Sequence, residues 1–267
     1  MDEPVLIDRD GRGVVTLTLN APDARNALSA AMMDALAEAA DGLAGDTGAR
    51  VVVLAGAGAT FCAGGDLNWM RAQRGAPPGE RRREARRLAD MLGRLDRLPQ
   101  ATLARVQGGA FGGGVGLMSV CDLAVCADDA RFGLTETRLG LIAATIGPYV
   151  AARIGPAAAR RHMLSGARFE AGEAVRIGLA AQAVPARALD EAVERQVDEH
   201  LKAAPGAVAA TKAMLRALAP PVDETVVAAT VDRLIERWED DEAAEGIDAF
   251  FDRRKPRWLA PPTLQGK

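Results

Sequence analysis

The 267-residue chain has few of the residues that build metal centres and disulfide scaffolds, with three cysteines and two histidines. Cys62, Cys121 and Cys126 form an odd set without CxxC spacing, and only His162 and His200 could supply imidazole. Neither a disulfide framework nor a zinc site is expected, and the default setting is reducing and cytoplasmic. Aromatic residues make up only 4% of the chain, and Tyr149 is its one tyrosine. A formal net charge of −3 gives no global attraction to nucleic acid or to an anionic membrane, so any anion site must be local. No run of about 18 uninterrupted apolar residues occurs, and the opening MDEPVLIDRD lacks the basic and apolar regions of a leader. The expectation is a soluble protein with no nucleic-acid or membrane partner and no metal.

Apolar residues, at 49%, are ample for a large core with a smaller appendage. VLID (5–8) and VVTLTL (14–19), joined by the turn-rich RDGRG, read as a hairpin. Ser29 reads as the N-cap of a helix over AAMMDALAEAADGLAG. VVVLAG (51–56), ATLARV (101–106) and CDLAVCA (121–127) are short continuous apolar runs, the mark of strands buried on both faces. Their alternation with helical patterns predicts an α/β chain with parallel pairing. After about residue 200 three helical patterns follow one another, which predicts a core over 1–200 and a helical region over 201–267.

The stretch GGAFGGGVGL (108–117) holds six glycines in ten residues. It lacks the third glycine of a G-x-G-x-x-G dinucleotide fingerprint, and neither it nor AGAGATFCAGG (55–65) has the lysine of a P-loop. Two uses remain open. The glycines allow close helix packing, or they leave backbone N–H groups free to meet a reacting oxygen. TFCAGGDL (60–67) is a second glycine-rich junction between a strand and a helix, and two such junctions could aim two donors at one carbonyl oxygen.

F-C-A-G-G-D-L at 61–67, G-G-A-F-G-G-G-V-G-L-M-S-V-C-D at 108–122 and R-F-G-L-T-E-T-R-L-G at 131–140 resemble, in order and separation, the enoyl-CoA hydratase/isomerase or crotonase superfamily. SGARFEAGEAVRIGLAAQAV (165–184) and EGIDAFFDRRKPRW (245–258) are similar to further segments of it, so that the resemblance covers nearly the whole chain. It implies an α/β spiral of ββα repeats followed by a helical trimerisation region, and a homotrimer or dimer of trimers. The substrate would be an acyl-CoA thioester, with coenzyme A part of the substrate and no separate cofactor.

Carried over to this chain, the resemblance makes the N–H groups of Gly65 and Gly113 the oxyanion hole for a thioester enolate. It makes Glu136 the acid/base, and it makes Gly116 the vacant position of a second glutamate. DARNAL (23–28), with Arg25 and Ala27, and the stretch Ala63, Gly64, Gly65, Asp66 and Leu67 would hold the CoA moiety, joined by Phe250 and Arg253 of a neighbouring subunit. Each residue also has an ordinary structural use. Glu136 could pair with Arg138, Arg25 could be a surface cation, and Asp66 could stabilise its loop. Trp69 and Met70 could line an acyl pocket or pack in the core, and Tyr149 could reach the pocket or be buried. His162 has no acid or nucleophile beside it in sequence and reads as structural. The basic run RAQRGAPPGERRREARR (71–87) reads as a mobile loop leading into a solvated helix. The G-G-G-V-G-L, L-T-E-x-R-L-G-L and AATIGPYV segments are similar to bacterial hydratases of branched, carboxylated, methylglutaconyl-type enoyl-CoAs. With a single glutamate, an enoyl-CoA isomerase and a non-catalytic binding protein of the same fold remain as alternatives.

Overall fold

In the computed structural model residues 3–259 are described. The chain begins with β1 (Val5–Arg9) and β2 (Val14–Leu19), the expected antiparallel hairpin, in which Val5 faces Leu19 and Arg9 faces Val15. Helix α1 (Ala30–Ala44) follows, capped by the Ser29 hydroxyl, which accepts from the Met32 N–H at 3.2 Å. Met32, Met33, Leu36, Ala39, Ala40 and Leu43 recur at helical spacing and form its buried face. β3 (Val51–Gly56) is buried at every position because it lies between two parallel neighbours and under helices.

Next come α2 (Leu67–Gly75), α3 (Pro78–Asp96), β4 (Ala101–Val106), β5 (Gly109–Phe111), α4 (Gly113–Val120), β6 (Leu123–Ala127) and β7 (Arg131–Gly133). Beyond them lie α5 (Gly147–Ser165), β8 (Phe169–Glu170), α6 (Ala171–Arg176), β9 (Gln182–Val184), α7 (Leu189–Leu201), α8 (Pro205–Leu218), α9 (Glu224–Trp238) and α10 (Asp241–Phe251). The main sheet has the order β1-β2-β3-β4-β6-β9, parallel throughout after the first hairpin. A second sheet, β5-β7-β8, is too short to be read from periodicity. CDLAVCA enters the main sheet only at Leu123, because Cys121 caps α4.

The basic run at 71–87 differs from the expected loop. It is the end of α2, a break at Ala76 and Pro77, and the first half of α3, where proline is tolerated at the helix start. Its arginines are not simply solvated, since Arg86 pairs with Glu224 and Arg82 with Asp232 on α9. Exposed pairs of this kind contribute about 0–1 kcal/mol each. The apolar contact beneath them, Ala85 with Val231 and Ile235, holds the two helices together.

α8 is tied to the core by the buried Lys212. Its ammonium donates to the Gln100 carbonyl at 2.7 Å and to Asp122 Oδ2 at 2.6 Å, and Asp122 also accepts from the Thr102 N–H at 2.7 Å. A buried cation is tolerable only when compensated in this way. Past α9 the chain folds back, and Trp238, Ala243 and Ile247 pack on Leu141, beside the 3-10 turn Glu136–Leu139.

Asn26 is fully buried and adopts a left-handed backbone with φ of 54°. Its Oδ1 accepts from the Ala21 N–H at 2.9 Å, and its Nδ2 donates to the carbonyls of Ala57 and Thr60, both at 2.8 Å. One side chain thus joins the segment before α1 to the loop after β3. Asn26→Ala leaves three half-buried backbone groups without their partner and is expected to destabilise the fold by roughly 2–4 kcal/mol. Urea unfolding checks this, and a loss below about 1 kcal/mol would refute the role.

Candidate active site

The site is made where backbone strands meet without side chains between them. Leu28 forms a parallel bridge to Gly65, its N–H donating to the Gly64 carbonyl at 2.7 Å and its carbonyl accepting from the Asp66 N–H at 3.4 Å. In a parallel ladder the residue between two bonded neighbours turns its own N–H to the other side. The Gly65 N–H therefore points away from Leu28. Cys62 bridges Ala110 in the same manner, with N–H to the Gly109 carbonyl at 3.2 Å and carbonyl to the Phe111 N–H at 3.0 Å. These bonds bring the start of α4 beside Gly64 and Gly65. A Cβ on Gly64, at φ of 92°, would stand 2.7 Å from the Phe111 oxygen and 3.7 Å from the Gly113 nitrogen. Gly113 opens α4, so its N–H is one of the helix's unused donors. Among the described residues neither the Gly65 nor the Gly113 N–H donates to another group.

Glu136 comes from the 3-10 turn after β7. Gly112, at φ of 47°, lets its carboxylate lie against the first turn of α4, where a Cβ would be 2.9 Å from Glu136 Oε1. The other oxygen, Oε2, is buried and has no hydrogen-bond partner among the described residues. There is no pairing with Arg138, whose Nε donates instead to the Ser165 carbonyl at 3.3 Å. Burial without a cation pushes the Glu136 carboxyl up to about 7, against a smaller opposing pull from its own backbone N–H.

Gly116, one turn into α4, faces Ile146. A Cβ there would lie 2.5 Å from Ile146 Cγ2 and 3.8 Å from Leu92 Cδ1. The space that a second acidic side chain would enter is filled by hydrocarbon, and Glu136 stands without a carboxylate partner from this position.

Gly65, Gly113 and Glu136 open on one cavity of about 1500 Å³. Arg25, Ala27, Ala63, Gly64, Gly65 and Asp66 line it, as do Trp69 and Met70. Asp66 also caps α2, its Oδ1 accepting from the Trp69 N–H at 2.9 Å. Leu67 begins α2, and its side chain lies outside the described structure. The Trp69 indole donates to Glu84 Oε2 at 2.9 Å, which fixes the ring near Gly65. Phe250 of the same chain reaches this cavity. Arg253 does not line it, whereas Arg254 does while paired with Glu245 at 2.6 Å. Tyr149 is buried against Gly93 of α3, outside the cavity lining, and burial pushes its phenol up to about 12. His162 is buried too, 3.1 Å from Glu173 and tilted on Phe169. Asn26 and Ile146 carry no sequence signal of their importance, because each matters through a partner far away in the chain.

Two free backbone donors beside a desolvated carboxylate define a site able to polarise a carbonyl and move a proton next to it. The chain matches the family model for enoyl-CoA hydratase/isomerase over residues 9–261 and belongs to that family, the crotonase superfamily. It is 37% identical over 249 residues to a Thermus thermophilus protein named as an enoyl-CoA hydratase, covering 92% of this chain and 97% of that one. The solved enoyl-CoA hydratase of Mycobacterium smegmatis is 38% identical, with 97% and 100% of the two chains covered and a TM-score of 0.78. One from Mycobacterium avium is 31% identical, with 97% and 100% covered and a TM-score of 0.83. The α/β spiral with its helical C-terminal part is thereby the crotonase fold.

Placing a carboxylate at 116 should fail for lack of room. Gly116→Glu is expected to destabilise the protein by about 2–4 kcal/mol through overpacking and charge burial, and adding Ile146→Ala should recover part of the loss. Unfolding of Gly116→Glu at the wild-type midpoint would refute this packing.

Proposed function

We propose that the protein adds water across the 2,3 double bond of an enoyl-CoA, with Gly65 and Gly113 as the oxyanion hole and Glu136 as the single acid/base. The observation that carries the proposal is the desolvated Glu136 carboxyl, without an ion pair, at the lining of a cavity where two backbone N–H groups are also free. In this mechanism the thioester oxygen accepts from both donors. Water then attacks C3 while Glu136 takes its proton, and the enolate held at the two N–H groups collapses by taking that proton at C2. Donors preorganised in this way contribute about 10²–10³ in rate each, reinforced at Gly113 by the helix N-terminus.

The proposed acyl group is branched and carboxylated, of the methylglutaconyl type. Support comes from the motif resemblance and from Arg138, which lines the cavity with its two terminal guanidinium nitrogens unbonded among the described residues. Arg25, also at the cavity and with a guanidinium that makes no hydrogen bond among those residues, suits a CoA phosphate. No cofactor beyond the CoA of the substrate is invoked. Assembly as a trimer or dimer of trimers is supported by Met214, Leu215 and Leu218, which leave α8 with an exposed apolar face. Cytoplasmic action accords with the three free cysteines, and no described helix is long and apolar enough to cross a membrane.

Hydration of a panel of enoyl-CoAs including 3-methylglutaconyl-CoA, followed by loss of the conjugated thioester absorbance, tests the reading. Hydration of the carboxylated members is expected. A moved double bond in place of hydration would establish the isomerase alternative, and no turnover at all would favour the binding protein. Glu136→Gln is expected to lower kcat by about 10²–10⁴-fold with acyl-CoA binding retained, and unchanged turnover would refute its role. Because the ionised carboxylate must accept the water proton, kcat/KM should fall as pH drops through about 7, the value to which burial raises this group. A flat profile from pH 5.5 to 8.5 would contradict that assignment.

A further inference from the structure

The hydratase mechanism needs a place for the water as well as for its proton. A water in an apolar enclosure is held in a fixed position only by two to four polar partners, and Glu136 supplies one. The wall formed by α4 supplies none at Gly116, where Ile146 closes it. Beside Glu136, Thr145 is the one buried polar side chain among the described residues that lines the cavity, at 7% exposed. Its hydroxyl makes no hydrogen bond within the described chain, and it is not among the unpaired atoms sealed from all access. The other hydroxyls at the cavity differ. Thr137 donates to the Met163 carbonyl at 3.1 Å and Ser165 to the Arg161 carbonyl at 2.8 Å, while Thr60 and Thr135 are only half-buried. The turn that carries Thr145 is held by the Ala144 N–H on the Ile142 carbonyl at 2.9 Å and the Gly147 N–H on the Ala144 carbonyl at 3.2 Å. It seats Ile146 on α4 and leaves Thr145 at the cavity wall.

We infer that the Thr145 hydroxyl positions the nucleophilic water, accepting a hydrogen bond from one of its O–H groups while Glu136 accepts from the other, an inference that rests on the hydratase reading. The water oxygen forms its bond to C3 as its O–H bond toward Glu136 breaks. The C2=C3 electron pair moves into the thioester as the enolate, and the proton on Glu136 then passes to C2. One H and one OH have been added, Glu136 is ionised again, and Thr145 keeps its proton throughout. The threonine orients and does not exchange bonds.

Thr145→Val keeps the shape and removes the hydroxyl, while Thr145→Ser keeps the hydroxyl. Two rates separate orientation of water from general damage. One is hydration of the best enoyl-CoA of the panel. The other is exchange of the C2 protons of the corresponding saturated acyl-CoA into deuterium oxide, which needs the oxyanion hole and Glu136 but no attacking water. Thr145→Val is expected to lower hydration kcat about 10- to 100-fold, as loss of one well-placed hydrogen bond does, with C2 exchange within about twofold of wild type. Thr145→Ser should restore hydration to within about threefold. Hydration by Thr145→Val at the wild-type rate, or a parallel loss of hydration and exchange, would overturn the positioning role alone. A wild-type protein that exchanges C2 protons and hydrates nothing would overturn the hydratase reading and this inference with it.

Discussion

The site depends on backbone pairing in places where the fold has almost no side chains. Leu28 against Gly65 and Cys62 against Ala110 are single bridges, each with two hydrogen bonds, yet together they align three chain segments separated by tens of residues. Ladder geometry then decides which N–H groups are used up and which are left over. Asn26 reinforces the arrangement from outside, since it locks the segment ahead of Leu28 to the loop ahead of Cys62. The free donors at Gly65 and Gly113 are consequences of those bonds.

Electrostatics follow from the same packing. Glu136 lies against the opening turn of α4 because Gly112 has no side chain, and it stays unpaired because Arg138 turns to the Ser165 carbonyl. Placing a carboxylate there without a cation is costly for folding, and the cost takes the form of a raised proton affinity. Local destabilisation of this kind is characteristic of groups that must both take and give a proton near neutral pH. The returning C-terminal helices matter here as well, because Trp238 and Ile247 pack on Leu141 and so brace the turn that carries Glu136.

Two other ionisable groups of the interior are compensated by partners and serve architecture. Lys212 shares Asp122 and the Gln100 carbonyl, and His162 meets Glu173, which its arginine neighbours hold down at about 2. Paired groups like these stabilise a position. Of the buried side-chain oxygens without a partner among the described residues, those of Gln73, Gln100 and Glu136, only the last belongs to a residue that lines the cavity, and only it is a carboxylate.

Much of this was legible in the order of residues. The buried strands at 51–56 and 101–106, the Ser29 cap and the helical texture beyond residue 200 are local properties, written in runs and spacings of a few residues. The glycine-rich junctions and the glutamate after them were also visible, through their resemblance to a known family. Tertiary structure alone decided what those residues face. Nothing near Gly116 in sequence says that Ile146 fills its space, and nothing around residue 80 says that the arginines there meet α9. The second sheet was invisible because strands of two or three residues have no period to read. Sequence by itself determined the longer strands and helices, because propensity and periodicity act over one or two turns of chain, and it marked the motif residues through family resemblance. The filling of the space beside Gly116 by Ile146, the desolvation of Glu136 and the freedom of two N–H groups are properties of contacts between distant segments, and only the folded chain creates them.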